Sequence, residues 1–190
     1  MHLTQFLVPT LTHHLTALSG WLDKAEAHFS EQGGNVDDLM AARLAPDMFP
    51  LATQLRFVAF QTQEALFRLR GQPVPDEVNA IRDEGLACAE QPGTLASARA
   101  RIAEALARLA EVGPDELDSA TDRPLALDLP MGMVFDMTGL TYVRDWSLPQ
   151  IGFHVDMAYA ILRAASVPLG KRDYVPHMFA YLRPGTMPGA

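Results

Sequence analysis

Leu11-Thr-His-His-Leu15-Thr-Ala-Leu18-Ser-Gly-Trp-Leu22-Asp-Lys-Ala25-Glu-Ala-His-Phe29 decides the fold class. Its apolar residues Leu11, Leu15, Leu18, Leu22, Ala25 and Phe29 alternate steps of four and three. A helical repeat carries such a row along one face, and the average step of 3.5 keeps it against a nearly parallel neighbour. Gly33 and Gly34 end this helix, and a short helix around Val36–Leu44 follows with Asn35 as its cap. The same alternation returns at Leu51, Leu55, Val58, Thr62, Ala65 and Leu69, closed by Gly71 with Pro73 and Pro75 behind it. Asp47 caps that helix in this reading, with Pro50 in its first turn. A third row, Leu95, Ala98, Ile102, Ala105, Leu109 and Val112, lies between the cap Thr94 and the stop Gly113-Pro114, with Glu104 and Arg108 as an outer ion pair. The last long helix covers about Thr141–Ser166, with Pro149 and Gly152 inside it and Pro168 and Gly170 beyond. Between the third and last helices the period shortens to two. Leu125, Leu127 and Leu129 alternate, as does Met133–Met137 across a turn at Met131-Gly132, which predicts a small hairpin over one end of the helices. Four long helices with two short excursions make an all-α four-helix bundle.

Composition narrows the function classes. The 190 residues are 48% hydrophobic and 20% charged, with a mean hydropathy of +0.02, which excludes a disordered chain. Apolar runs are short, as at Met157–Leu162 between Asp156 and Arg163, so no membrane span is expected. A net charge of −8 argues against a nucleic-acid partner, because phosphate backbones are held by basic surfaces. Residues 163–190 reverse this locally, with Arg163, Lys171, Arg172 and Arg183 against Asp173. The single cysteine, Cys88, excludes an internal disulfide and reads as an inert thiol. With no Lys or Arg before Lys24, the N-terminus resembles neither a signal nor a transit peptide, which predicts a cytoplasmic protein.

Phosphate-cradling glycine loops, His-Glu-x-x-His, Cys-x-x-Cys and Gly-x-Ser-x-Gly are all missing. The most informative segment is Trp146-Ser-Leu-Pro149-Gln-Ile-Gly152-Phe-His154-Val-Asp156-Met-Ala-Tyr159-Ala-Ile-Leu-Arg163. Proline inside a helix removes a hydrogen bond and bends the axis, and glycine weakens it further. The pair therefore suggests room beside His154, which in this reading lies with Phe153, Met157, Ile161 and Leu162 near the buried side. His154 has two readings: a satisfied core histidine, or the polar wall of a pocket with Asp47 across the bundle. A close carboxylate would make His154 more basic. His14, Trp21 and His28 recur at sevens as an amphipathic border, two turns apart and unable to chelate together. Met131, Met133 and Met137 read as adaptable packing under the hairpin.

Three separated motifs carry a resemblance: Arg43-Leu-Ala-Pro-Asp47-Met48, then Phe153-His154-Val with Ala158-Tyr-Ala-Ile-Leu-Arg163, then Pro168-Leu-Gly-Lys-Arg-Asp-Tyr174. Together with Trp21-Leu-Asp-Lys-Ala25 they resemble an uncharacterised bacterial family, a domain of unknown function, within the DinB/YfiT-like metalloenzyme superfamily of four-helix bundles. The resemblance implies an up-down-down-up bundle over 1–174; it stops at Tyr174, and residues 175–190 read from the sequence itself as an extended tail. It also implies a homodimer, for which Trp21 beside the first helix's row is the supporting residue.

Many members of that superfamily resemble metalloenzymes with three histidines, one from the second helix and a His-x-x-x-His pair from the last. Here His154 matches one position, but its neighbours one turn away are Gln150 and Ala158, and the second helix offers Asp47, Gln54 or Gln61. Transition-metal sites usually need three protein ligands, so no cofactor is expected, with His154 and Asp47 the residual metal candidates. The leading functional reading is a small-molecule pocket near His154, lined by Asp47, Arg43, Tyr159 and Gln54. The alternatives are a structural or interaction dimer, and a metal-dependent hydrolase or transferase with a reduced ligand set.

Overall fold

The computed structural model describes residues 2–129 and 132–186. Helix α1 spans Leu3–Glu31, starting well before Leu11. Leu3 and Leu7 extend the buried row by two more turns, and Pro9 sits on the exposed side. The first turn is anchored from outside: Asp118 accepts hydrogen bonds from the Thr4 amide and hydroxyl, both at 2.9 Å. A 3-10 helix at Val36–Ala41 is capped by Asn35, which accepts from the Asp37 amide.

Helix α2 (Leu51–Arg70) is the most buried, and Gly71 ends it in the left-handed conformation at φ 69°. Helix α3 (Asp76–Ala87) is an addition to the sequence reading, which placed no helix after Pro75. Only Val78, Ile81 and Gly85 face inward, too short a row to stand out by period. Helix α4 (Leu95–Ala110) starts on the expected Thr94 cap, doubled by Ser97 into a capping box. Its outer ion pairs differ from the expected Glu104–Arg108. Arg101 takes Glu104 at 3.0 Å, and Arg108 reaches Glu77 of α3 at 4.0 Å while lying over Phe67.

Strands β1 (Pro124–Leu129) and β2 (Met133–Thr138) form the antiparallel hairpin, in register from Pro124 opposite Thr138 to Leu129 opposite Met133. The turn residue Met131 lies outside the described residues; Gly132, at φ 79°, donates to the Leu129 carbonyl. Leu127 is buried, whereas Met133 is 45% exposed and does not pack underneath as expected.

A one-turn helix (Gly139–Thr141), a π-helical turn (Tyr142–Ser147) and helix α5 (Leu148–Ala164) then follow without a break. Pro149 therefore lies inside a continuous helical run, as the sequence reading placed it, in the turn that follows the π-helical one. The wider π turn just before it absorbs the irregularity that a proline brings to a helix. Ser166, at φ 67°, closes the helix, and the short α6 (Lys171–Tyr174) leads to a 3-10 turn at Pro176–Tyr181 where an extended tail was expected.

Helix α2 packs against α3, α4 and α5, while α1 packs against α4 and α5, leaving α1 and α2 nearly diagonal across the core. Trp21 is buried at 1% exposure, its indole N–H donating to the Asp173 carbonyl at 2.7 Å and its ring stacked on Tyr174. The chain's own C-terminal region covers it, so Trp21 offers nothing to a second copy. No helix among the described residues is long and apolar enough to cross a membrane.

The segments on either side of the hairpin, Ala120–Arg123 before it and the one-turn helix at Gly139 after it, meet through a close backbone approach. The Gly139 amide donates to the Arg123 carbonyl at 3.1 Å, and a Cβ on Gly139 would collide with the Ala120 carbonyl oxygen. Neither backbone can retreat without losing its hydrogen bonds. Gly139→Ala should therefore destabilise by about 2 kcal/mol or more, as overpacking does. Urea unfolding would measure this, and an unchanged midpoint would show that the approach yields.

Candidate functional site

His154 lies on the inner face of α5 at 6% exposure. Its Nδ1 stands 2.7 Å from Oε1 of Gln54 on α2. The Gln54 amide nitrogen donates to the Phe49 carbonyl at 3.1 Å, which sets the orientation of the carboxamide. Oε1 is therefore the acceptor, Nδ1 carries the proton, and Nε2 keeps the lone pair. The rings of Phe57 and Phe153 meet the imidazole edgewise at 5.0 and 5.2 Å. Phe153 is itself 56% exposed, on the outer side of the ring and not near the buried side where the sequence reading placed it. Burial pushes the His154 pKa down to about 4, the reverse of the more basic histidine expected beside a carboxylate.

The other expected pocket residues are dispersed. Asp47 sits exposed in a turn closed by the Met48 amide on the Ala45 carbonyl, and Pro50 directly precedes α2 with no side-chain cap. Exposed in that turn, Asp47 gives α2 no side-chain cap, and the partner of His154 is Gln54 in its place. Arg43 is exposed and donates to the Ala89 carbonyl at 3.1 Å, tying its loop to the end of α3. Tyr159 joins Trp21 and Tyr174 in an edge-to-face cluster at 5.3 and 5.8 Å. Of the five residues, only Gln54 and His154 are brought together.

That pair does not fit a transition-metal centre. His154 offers one nitrogen, Gln150 and Ala158 flank it along α5, and the Gln54 oxygen is already engaged. Among the described residues, His2, Asp115 and Asp118 do bring three ligand atoms close together. There the Asp118 oxygens are taken by Thr4 and His2, which holds the first turn of α1 in place.

His154 lines none of five well-formed clefts among the described residues. The largest of these, about 440 Å³, lies between α2, α3, β1 and the π turn. Its apolar wall is Phe60, Leu86, Leu127, Leu129 and Trp146. Its polar side holds the Glu64–Arg68 pair at 2.8 Å and Arg82, whose guanidinium lies 5.8 Å from the Phe60 ring. Gln61 belongs to the same wall, and its buried Oε1 has no hydrogen-bond partner among the described residues. Unpaired buried carbonyl oxygens are uncommon and costly. Arg82 and Leu86 escaped the sequence reading because α3 did; the acidic pair Asp76-Glu77 just after Pro75 was the available signal.

Comparison with known proteins places this geometry. The family model described as "Domain of unknown function (DUF1993)" matches residues 3–175. Among solved structures, the chain is similar to a DinB family member protein from Shewanella denitrificans. The two are 28% identical, the match covers 99% of this chain and 94% of that chain, and the TM-score is 0.74. No curated protein matches.

Proposed function

Since the chain belongs to the DUF1993 family, whose function is unknown, we propose from its own side chains that it is a small-molecule-binding bundle with the ligand seated between α2, α3 and the hairpin. The supporting observation is the cleft of about 440 Å³ with an unpaired Gln61 oxygen buried in its wall. Volumes of roughly 300–1,000 Å³, mostly apolar with a few polar groups, suit small-molecule ligands. The π turn strengthens the reading, since such turns recur at functional sites and this one carries Trp146 into the wall. This moves the site away from His154, whose Nδ1 is committed to Gln54 and whose neighbourhood lacks a ligand set for metal chemistry.

Thermal-shift screening of small amphipathic compounds tests the proposal. Hits should stabilise the wild type and fail with Leu86→Arg, which fills the cleft from a half-exposed position. Hits that stabilise both proteins equally would place the ligand elsewhere. Elemental analysis of the same untagged protein is the second arm: about one zinc or nickel per chain, lost in His154→Ala, would restore the metalloenzyme reading.

A homodimer is the second reading, favoured by one feature. Met133, Val134 and Phe135 are consecutive, 45%, 55% and 45% exposed, on a strand with no Lys, Arg or Pro to guard its edge. Light scattering at the monomer mass of 20.8 kDa would remove it.

A further inference from the structure

Half of the chain's six histidines gather at one place, where the C-terminal segment crosses α1. His13 of α1 and His177 stack face to face, with centroids 4.0 Å apart and planes 2° from parallel. With His14, Thr10, Tyr174 and Val175 they line a cavity of about 180 Å³. The Nδ1 atoms of His14 and His177 are buried there without hydrogen-bond partners among the described residues. The stacked pair is not a chelate: a ligating imidazole holds a metal in its own ring plane, and two parallel planes share no point.

The segment's attachments divide sharply at Tyr174. Up to that residue they are numerous. Lys24 pairs with Asp173 at 2.7 Å, Trp21 donates to the Asp173 carbonyl, and the Tyr174 hydroxyl donates to Asp156 of α5 at 2.5 Å. After Tyr174 the backbone hydrogen bonds are local, from Val175 to Lys171, Met178 to Val175, Leu182 to Phe179 and Thr186 to Arg183. Met178, Phe179, Tyr181 and Leu182 are all at least 40% exposed. The His177 stack is thus the principal hold of this segment on α1, because the next residue toward Tyr174, Pro176, borders a cleft of about 300 Å³ against Thr16, Ala17 and Gly20.

We propose that residues 175–182 form an acid-released latch: neutral His177 stacks on His13 and holds the segment against α1, and protonation of both rings drives it off about a hinge at Tyr174-Val175. Two like charges at stacking distance repel, and the surrounding groups do not neutralise this pair. His14 lies beside it on α1, Lys24 lies further along α1, and Lys171 and Arg172 add positive charge from α6. The carboxylates nearby are Asp156, which accepts from Tyr174, and Asp173, which is held by Lys24. Burial first, and then His177, hold the His13 pKa below the ordinary imidazole value. Burial also lowers that of His14, against the pull of Asp156. Asp156 only partly offsets that burial, and His14 supplies no counter-charge to the stacked pair.

Imidazole NMR decides the matter. A ring-proton contact between His13 and His177 should be present at about pH 7.5 and lost at about pH 5, the range in which histidine takes up its proton. His177→Phe keeps an aromatic stack without the second charge. In that variant the ring contact with His13 should persist at acid pH, and His13 should titrate at higher pH than in the wild type. A wild-type contact that survives acid, a contact missing at neutral pH, or a His177→Phe segment that detaches as the wild type does would each overturn the latch.

Discussion

Arg56→Ala is expected to lower the unfolding free energy by about 3 kcal/mol, the lower end of the range for breaking a buried ion pair from one side. Arg56 is 1% exposed in the middle of α2. Its Nε donates to Glu84 of α3 at 3.0 Å, one terminal nitrogen donates to Ser97 of α4 at 2.7 Å, and the other approaches the Ala52 carbonyl at 3.4 Å. Arg101 takes the second Glu84 oxygen at 2.8 Å. One guanidinium therefore joins three helices. Burial would raise the Glu84 pKa, but the hydrogen bonds from Arg56 and Arg101 outweigh it and hold the carboxyl below its ordinary range. Losing Arg56 leaves a large void and frees one Glu84 oxygen, while Arg101 and partial exposure of Glu84 limit the damage. Arg56→Met should cost less than Arg56→Ala, since it restores much of the volume without a charge. Arg56→Lys should fall between them, because a lone ammonium does not reproduce the planar fork. Urea midpoints for the three variants provide the ranking, and a cost for Arg56→Ala below about 1 kcal/mol would mean that the network is ornamental.

Acid should weaken the fold through His154. Its pKa is about 4 when folded, against the ordinary 6.5 of an exposed imidazole. Between these values the unfolded chain binds a proton that the native chain refuses, so lowering the pH favours unfolding. The contribution is complete above about pH 6.5, and about 3 kcal/mol of it is gone by pH 4 at 1.36 kcal/mol per unit of pKa. His154→Gln stays neutral throughout and can still donate to Gln54. Its stability should decline less steeply from pH 6.5 to 4 than that of the wild type, while the other histidines titrate alike in both. Parallel stability profiles would show that the buried ring accepts its proton without penalty.

Both effects involve α2, through Arg56 and through Gln54 beside His154, and there the sequence was most legible. Leu51, Leu55, Val58, Thr62, Ala65 and Leu69 are buried as their spacing predicts. The other two rows, starting from Leu11 and Leu95, hold almost as well, with Phe29 and Val112 only partly buried. Within one helix, residues three and four apart share a face whatever surrounds them. The hairpin was readable for a similar reason, since alternation and the glycine turn are local properties. Helix α3 was not, because its inward row of Val78, Ile81 and Gly85 becomes a signal only against Phe57 and Arg56, which close over Gly85. The π turn left no pattern to read either; it lies directly before α5 and its Pro149.

The partner of His154 marks the boundary between the two kinds of knowledge. Spacing alone determined the helical rows, the hairpin and the presence of an imidazole on the inner side of the last helix. Whether Asp47 or Gln54 met that imidazole was a matter of how α2 is rotated against α5, across 100 residues of chain. Periodicity says which residues share a face and is silent on which faces meet. Packing answered it: the turn at Ala45–Met48 carries Asp47 into solvent, and the phase that buries Leu51 and Leu55 also turns Gln54 toward His154. Packing likewise seated Tyr174 on Trp21, set His177 against His13, and opened a cleft of about 440 Å³ beside α3 and not beside His154. These outcomes depend on side chains filling space between elements remote in sequence, a three-dimensional constraint that no local pattern encodes.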